Sequence, residues 1–392
     1  MTMRVRASLT MILAVAMMGL ASCDHYNCAT GPTLGSSCAP TSTGLGTGST
    51  GSPAAAAFDF FVDGGNLDAA SVDTSGNFAL IPNFVSPPLT LSGVGGMVIV
   101  QKQWLYVALP LQIQGYSIDG TTGALTALTG SPFASSNTEA SSMSTDPAGK
   151  FIFLSGANDN QVTVFSVSQT DGSLTTVGSF PTGFFAAEAT TDGLGKFLYV
   201  TAGNLGSEVG VYSIGSTGSL TPISGSPFSI SIAQLEAEPT GKFLLGVTGN
   251  GANNGFTSDD HIYVFSINQS TGAITPVTGS PFLTTFTPAT LTVHPSGTFV
   301  YTFNQTVVGT SPTEGFQFNT ATGAVTPLSS SPFTSLTAPA GMFDQSGAFL
   351  FMHPGTSLSV ASVNTTTGAL SSIATPITGI GSAVSSAVTD PH

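Results

Sequence analysis

The chain has 392 residues, 41% hydrophobic and only 7% charged, with six basic against 20 acidic side chains and a formal net charge of −14. Soluble proteins average roughly 25% charged residues, so solubility here rests on Ser, Thr, Asn and Gly. So acidic a chain lacks the basic patch that a phosphate backbone requires, which excludes nucleic acid as a partner.

At the start, Arg4 and Arg6 precede an apolar run from Ala7 to Leu20, and then Leu20-Ala21-Ser22-Cys23. A basic start, an apolar stretch too short to span a bilayer as a stable helix, and small residues before a cysteine form an export signal. The segment resembles the lipobox of bacterial lipoproteins. That resemblance makes 1–22 a signal peptide and Cys23 the lipidated first residue of a protein anchored to the bacterial membrane, on its periplasmic or cell-surface side. Asp24 resembles the inner-membrane retention signal of some enteric bacteria, and the choice between inner and outer membrane stays open. Cleavage leaves Lys102, Lys150, Lys196 and Lys242 against the 20 acidic residues, hence a mature charge of −16. Cys28 and Cys38 either form a disulfide in this exported segment or remain free thiols, and neither has the Cys/His spacing of a zinc site.

Residues 23–55 are Gly, Ser, Thr, Pro and Ala with almost no large apolar side chain, as in the run STGLGTGSTGSP at 42–53. Such a segment cannot bury enough apolar surface to offset its ordering entropy, and it reads as a flexible tether.

From 56 onward one phrase recurs: TGALTALTGSPF at 122–133, TGSLTPISGSPF at 217–228, STGAITPVTGSPF at 270–282 and TGAVTPLSSSPF at 322–333. A Thr-Gly turn, an alternating run and a Gly/Ser-Pro-Phe connector describe a strand leaving a tight hairpin. Taking one hairpin glycine per unit gives Gly76, Gly123, Gly172, Gly218, Gly272, Gly323 and Gly368, spaced 47, 49, 46, 54, 51 and 45 residues apart. Alternating strands precede these turns, as in VTVFSV at 162–167 and IYVFSI at 262–267. A second hairpin lies further upstream, in DPAGKFIFL at 146–154, DGLGKFLYV at 192–200, EPTGKFLLG at 238–246, HPSGTFVYT at 294–302 and DQSGAFLFM at 344–352. Its acid accepts a backbone N–H two residues on, proline presets φ, and glycine takes the left-handed position.

Four antiparallel strands repeated seven times at this period predict an all-β fold, a seven-bladed β-propeller over 56–392. The last residues, Val388-Thr389-Asp390-Pro391-His392, reproduce an inner strand and half a turn, and Phe58-Asp59-Phe60-Phe61-Val62 supplies the strand that should follow. The ring is therefore expected to close by pairing of the N- and C-terminal strands, leaving no bare sheet edge at the seam.

At these GKFLYV-type strands and TGALT-type hairpins the chain resembles the lactonase-like propellers, the YVTN or 6-phosphogluconolactonase-like family, over about 58–392. The resemblance implies opening of sugar lactones or chemistry on muconolactones. Members that do this carry a Pro-Arg-His segment before a His-Pro-x-Gly turn. On the fourth blade that segment falls on Ala186-Ala187-Glu188, ahead of Asp192-Gly193-Leu194-Gly195, so the family's catalytic residues do not carry over.

Glu139, Glu188 and Glu236 fall in or near the inner strands of blades three, four and five. Glu188 and Glu236 are the catalytic candidates, since paired carboxylates serve acid/base chemistry or hold a hard cation, and acids lining a wet channel are the plainer reading. The turn acids Asp146, Asp192, Glu238, Asp344 and Asp390, with His294 in the same slot, recur blade after blade and read as turn caps. Asp259 and Asp260, beside His261, are the metal candidates, although three neighbours at one strand entry cannot converge on one ion. His353, before Pro354, reads as an exposed turn residue. There is no Gly-x-Ser-x-Gly elbow, P-loop or HExxH, and no cofactor is expected. Taken with the lipobox resemblance, which implies a cell-envelope lipoprotein, the low-charge Thr/Ser/Asn-rich loops suit a monomeric propeller that binds or scaffolds a neutral partner, an envelope protein or glycan. The alternative is a lactone hydrolase acting through substitute residues such as Glu188. An arginine, or a histidine converging with a carboxylate, on the channel wall would favour the alternative.

Overall fold

Two recurrent turns explain the architecture. In the first, Asp192 Oδ1 accepts the N–H groups of Lys196 and Phe197 at 2.6 and 2.8 Å, and Oδ2 accepts that of Leu194 at 3.3 Å. Asp146 and Glu238 bond their own turns in the same way. In the sixth blade His294 takes the slot, with Nε2 donating to the Gly347 carbonyl of the seventh blade at 2.9 Å and Nδ1 facing Ser296 Oγ at 2.7 Å. Nε2 must carry the proton to donate there, and burial lowers the pKa of this imidazole. The second blade replaces the acid turn with Gln101 and Lys102 at φ +53° and +63°, the left-handed pair of a tight hairpin.

The second turn holds the hairpin glycines, all at positive φ. Gly272 shows why glycine is required: φ is +77°, and an added Cβ would sit 2.4 Å from the Phe197 ring of the preceding blade. The turn that ends one blade is thus also a contact with its neighbour.

The computed structural model describes residues 55–392 apart from 64–65, 83, 86, 88, 90–92, 157–158, 204–206, 250–258, 305–311, 354–355, 374, 381–382 and 390–392. The segment read as a signal peptide, Cys23, Cys28, Cys38, the segment read as a tether up to 54 and Asp390 lie outside the described residues. The first strand, Ala55–Asp63, begins at the last residue assigned to the tether.

The described strands form seven antiparallel sheets. The fourth blade is representative, running outward from Ala186–Thr191 through Phe197–Ala202 and Val209–Ile214 to Leu220–Pro222. Consecutive inner strands touch all the way round, including Gly341–Phe343 against Ala383–Thr389 and Ala383–Thr389 against Gly96–Val100. The seam closes as expected, with Ala383–Thr389 paired to Ala55–Asp63 in the register Phe58 to Thr389 and Phe60 to Ala387. The first blade therefore joins both ends of the propeller.

Three blades hold one strand more than the four read from the repeat: Phe133–Ala134, Phe282–Leu283 and Ile377–Thr378 each pair with a third strand. In the first two of these the Gly/Ser-Pro-Phe connector folds back over its own blade. Its serine hydroxyl accepts a third-strand N–H, as Ser131 does from Gly115 at 2.9 Å and Ser280 from Val264 at 2.9 Å. Ser131-Pro132, Ser226-Pro227, Ser280-Pro281 and Ser331-Pro332 are all cis.

The core lies between blades. Phe243, Leu245 and Val264 of the fifth blade pack with Leu291, Phe316 and Val325 of the sixth. Fully buried Tyr106, Tyr199 and Tyr301 donate their hydroxyls to Gly172, Gly272 and Gly368 of the following blades at 2.5, 3.1 and 2.7 Å. Burial raises the pKa of all three phenols.

Candidate active site in the central channel

The inner strands surround a cavity of about 600 Å³. Its wall is mostly small or apolar, with Gly96, Met97, Met143, Ala187, Ala340 and Met342 on it, and among the described residues its ionisable groups are Glu188 and His353. None of the described lysines lines it. Lys150, Lys196 and Lys242 are exposed at the first turns of three successive blades, where strand register sets them at one end of the inner hairpins.

Glu188 sits four residues before the turn acid Asp192, on the strand Ala186–Thr191. Burial pushes its carboxyl up to about 8, helped by the neighbouring Glu236 charge and opposed by the Leu235 amide of the next blade. Glu236 lies on Gln234–Ala237 and is not part of the cavity wall. It turns into the sixth blade, where Oε1 accepts Val293 N at 3.0 Å and Thr292 Oγ1 at 3.4 Å. Burial pushes it to about 7 against those two bonds. Beside it, Gln234 makes a two-point contact with the Leu291 backbone, accepting at 2.7 Å and donating at 3.1 Å. The two glutamates thus differ in role: Glu188 offers a protonated carboxyl to the cavity, whereas Glu236 joins two blades.

The loop acids do not converge. Asp259 accepts Tyr263 Oη at 2.5 Å and Thr248 Oγ1 at 3.2 Å, whereas Asp260 is bonded by Thr287 Oγ1. His261 Nδ1 stands 3.7 Å from Asp259. Among the described residues no three acid, histidine or cysteine side chains are grouped to hold a metal ion. The turn acids Asp146, Asp192, Glu238 and Asp344 are buried, and their oxygens take up turn N–H groups. Glu139 immediately precedes the inner strand Ala140–Thr145 of the third blade.

His353 departs from its reading as an exposed turn residue. It follows the strand Phe349–Met352 and lines the cavity, and its side chain is only 12% exposed. Its Nε2 lies 3.2 Å from Oδ2 of Asp59, which is 1% exposed on the second strand of the first blade. Sequence reasoning does not bring these two residues together. A signal exists for one of them, because Asp59 breaks the aliphatic pattern of its strand position.

The sequence profile of the family described as "Lactonase, 7-bladed beta-propeller" matches residues 99–230. No curated protein matches the chain. Among solved structures, the periplasmic gluconolactonase of Pseudomonas aeruginosa is similar with a TM-score of 0.66 and 14% identity, over 86% of this chain and 100% of that one. A Bacteroides uniformis protein named as a candidate 6-phosphogluconolactonase gives 0.67 and 13%, over 85% and 99%. A Lactobacillus plantarum protein gives 0.64 and 14%, over 85% and 99%. At such identities the structural likeness speaks for the fold, and the profile match concerns about a third of the chain. The chain is a seven-bladed β-propeller whose residues 99–230 are similar to the lactonase propellers.

Proposed function

We propose that this protein is a cell-envelope lipoprotein, exported by residues 1–22 and anchored through Cys23, whose propeller takes a small uncharged ligand into its central channel. The observation that carries this reading is the cavity of about 600 Å³, apolar apart from a few hydroxyls, Glu188 and His353, with none of the described lysines on its wall. That volume lies within the roughly 300–1,000 Å³ range of small-molecule pockets, which favours a neutral sugar or glycan end over a protein surface as occupant. A phosphorylated ligand calls for a fixed cation such as a forked arginine, and the mature chain has no arginine.

A second reading, hydrolysis of a neutral lactone, is favoured by one specific observation: a histidine backed by a buried carboxylate lines the same cavity as a glutamic acid held protonated near neutral pH. Calorimetric titration with glucono-δ-lactone, glucose and 6-phosphogluconolactone tests both. Binding of the neutral compounds and none of the phosphorylated one is expected. Tight binding of the phosphorylated lactone, or its saturable turnover, would refute the neutral-ligand assignment.

A further inference from the structure

In six blades the second strand opens with an aromatic residue followed by a buried aliphatic one: Leu105, Ile152, Leu198, Leu244, Val300 and Leu350. Pairing with the third strand fixes this slot, since Phe58 lies opposite Ser71 as Phe151 lies opposite Ser166 and Phe349 opposite Ser362. In the first blade the slot holds Asp59. A carboxylate in an aliphatic position is costly, and the repeat shows that the fold does not need one there. Asp59 faces His353 across the seam between the seventh and first blades. Their contact is too poorly aligned to be a hydrogen bond, and neither Asp59 oxygen nor either His353 nitrogen has another partner among the described residues. Buried polar groups left in this state are uncommon and mark places where chemistry outweighs packing. The ring of Phe61, 6.1 Å away, supports the imidazole from one side.

We propose that Asp59 and His353, together with Glu188, form an acid–base site for an uncharged carboxylic ester held in the channel. The proposal rests on the hydrolase reading above and names its machinery. His353 is the catalytic residue and Asp59 its positioning residue. Ligand entry rotates the imidazole so that the nitrogen not facing Asp59 meets a water in the cavity. The imidazole takes a proton from that water as its oxygen bonds to the ester carbonyl carbon, and the carboxylic O–H of Glu188 hydrogen-bonds the developing oxyanion. The C–O bond to the alcohol then breaks, and the alkoxide takes the proton from the imidazolium. Ester and water become acid and alcohol, with all three side chains back in their starting states.

The test uses the full chain with γ-butyrolactone, glucono-δ-lactone and p-nitrophenyl acetate, recording kcat and KM from pH 5 to 9 and the melting temperature of each variant. Asp59 faces His353 directly and Glu188 shares its cavity, so both are varied. His353→Gln is expected to lower kcat about 100-fold or more with little change in KM. Asp59→Asn should lower kcat with little change in KM and no loss of melting temperature, the mark of a positioning residue. Glu188→Gln should lower kcat as well. Asp59→Leu, which restores the residue type of the other blades, should melt higher than the parent yet be as inactive as His353→Gln. Turnover by the parent that His353→Gln leaves intact overturns the proposal and spares the hydrolase reading. A lower melting temperature in Asp59→Leu makes the pair a structural lock and also overturns it. No turnover by the parent on any of the three esters removes both the proposal and the reading it rests on.

Discussion

Tyr301 Oη of the sixth blade donates to the carbonyl of Gly368, the hairpin glycine of the seventh, at 2.7 Å. The same glycine stands at φ +70°, where a Cβ would lie 2.6 Å from the Phe299 ring. Tyr301→Phe should therefore cost about 1 kcal/mol, the net value of a typical hydrogen bond plus a partly orphaned carbonyl. Gly368→Ala should cost more, because backbone and packing both resist the methyl group. Urea unfolding of both variants gives the order, and an equal loss in the two would contradict this account.

Glu188 and Glu236 are pushed above the ordinary carboxylate value of 4.5, to about 8 and about 7. The folded state therefore holds their protons more tightly than the unfolded chain does. Their contribution to stability is fully present below about pH 4.5 and is lost as pH rises through 7 and 8. Between pH 5 and 9 stability should therefore fall and then level off above about pH 8. Glu188→Gln should flatten the dependence of melting temperature on pH, and an unchanged slope would remove the channel acids as its cause.

Closure through Ala383–Thr389 predicts a further loss. Removing residues 383–392 strips the inner strand from the first blade and bares the edge of Ala55–Asp63. A fall in melting temperature of roughly 10 °C or more is expected, because the first blade loses one of its four strands. A melt within about 2 °C of the parent would mean that the ring does not depend on this seam.

Lipid attachment is checked directly. The full chain should partition with membranes and incorporate labelled acyl chain, whereas Cys23→Ser should do neither. Equal labelling of the two would exclude the lipobox assignment.

Much of the architecture is legible in the sequence because each blade repeats the same local chemistry. The acid-Pro-x-Gly and Thr-Gly turns are short-range devices: a side chain bonds its own backbone within five residues, as Asp192 does with Phe197, and glycine supplies the left-handed corner. Such features depend on neighbours along the chain, so residue types and their spacing are enough to reveal seven sheets and their closure. Glu188 is legible as an inner-strand acid for the same reason.

What a residue faces across a blade interface is a different matter. His353 and Asp59 lie 294 positions apart in a chain whose ends meet, and only ring closure brings them within 3.2 Å. Likewise, Glu188 and Glu236 sit on equivalent strands of adjacent blades, with nothing in the local pattern to assign them different roles. Their positions relative to the turn, four residues before Asp192 and two before Glu238, become different environments only once adjacent inner strands are packed. The sequence by itself determined the repeat and the strand order, since those follow from residue types at local spacing. The tertiary structure decided which ionisable groups share the channel, because burial and facing depend on contacts between blades that no local pattern encodes.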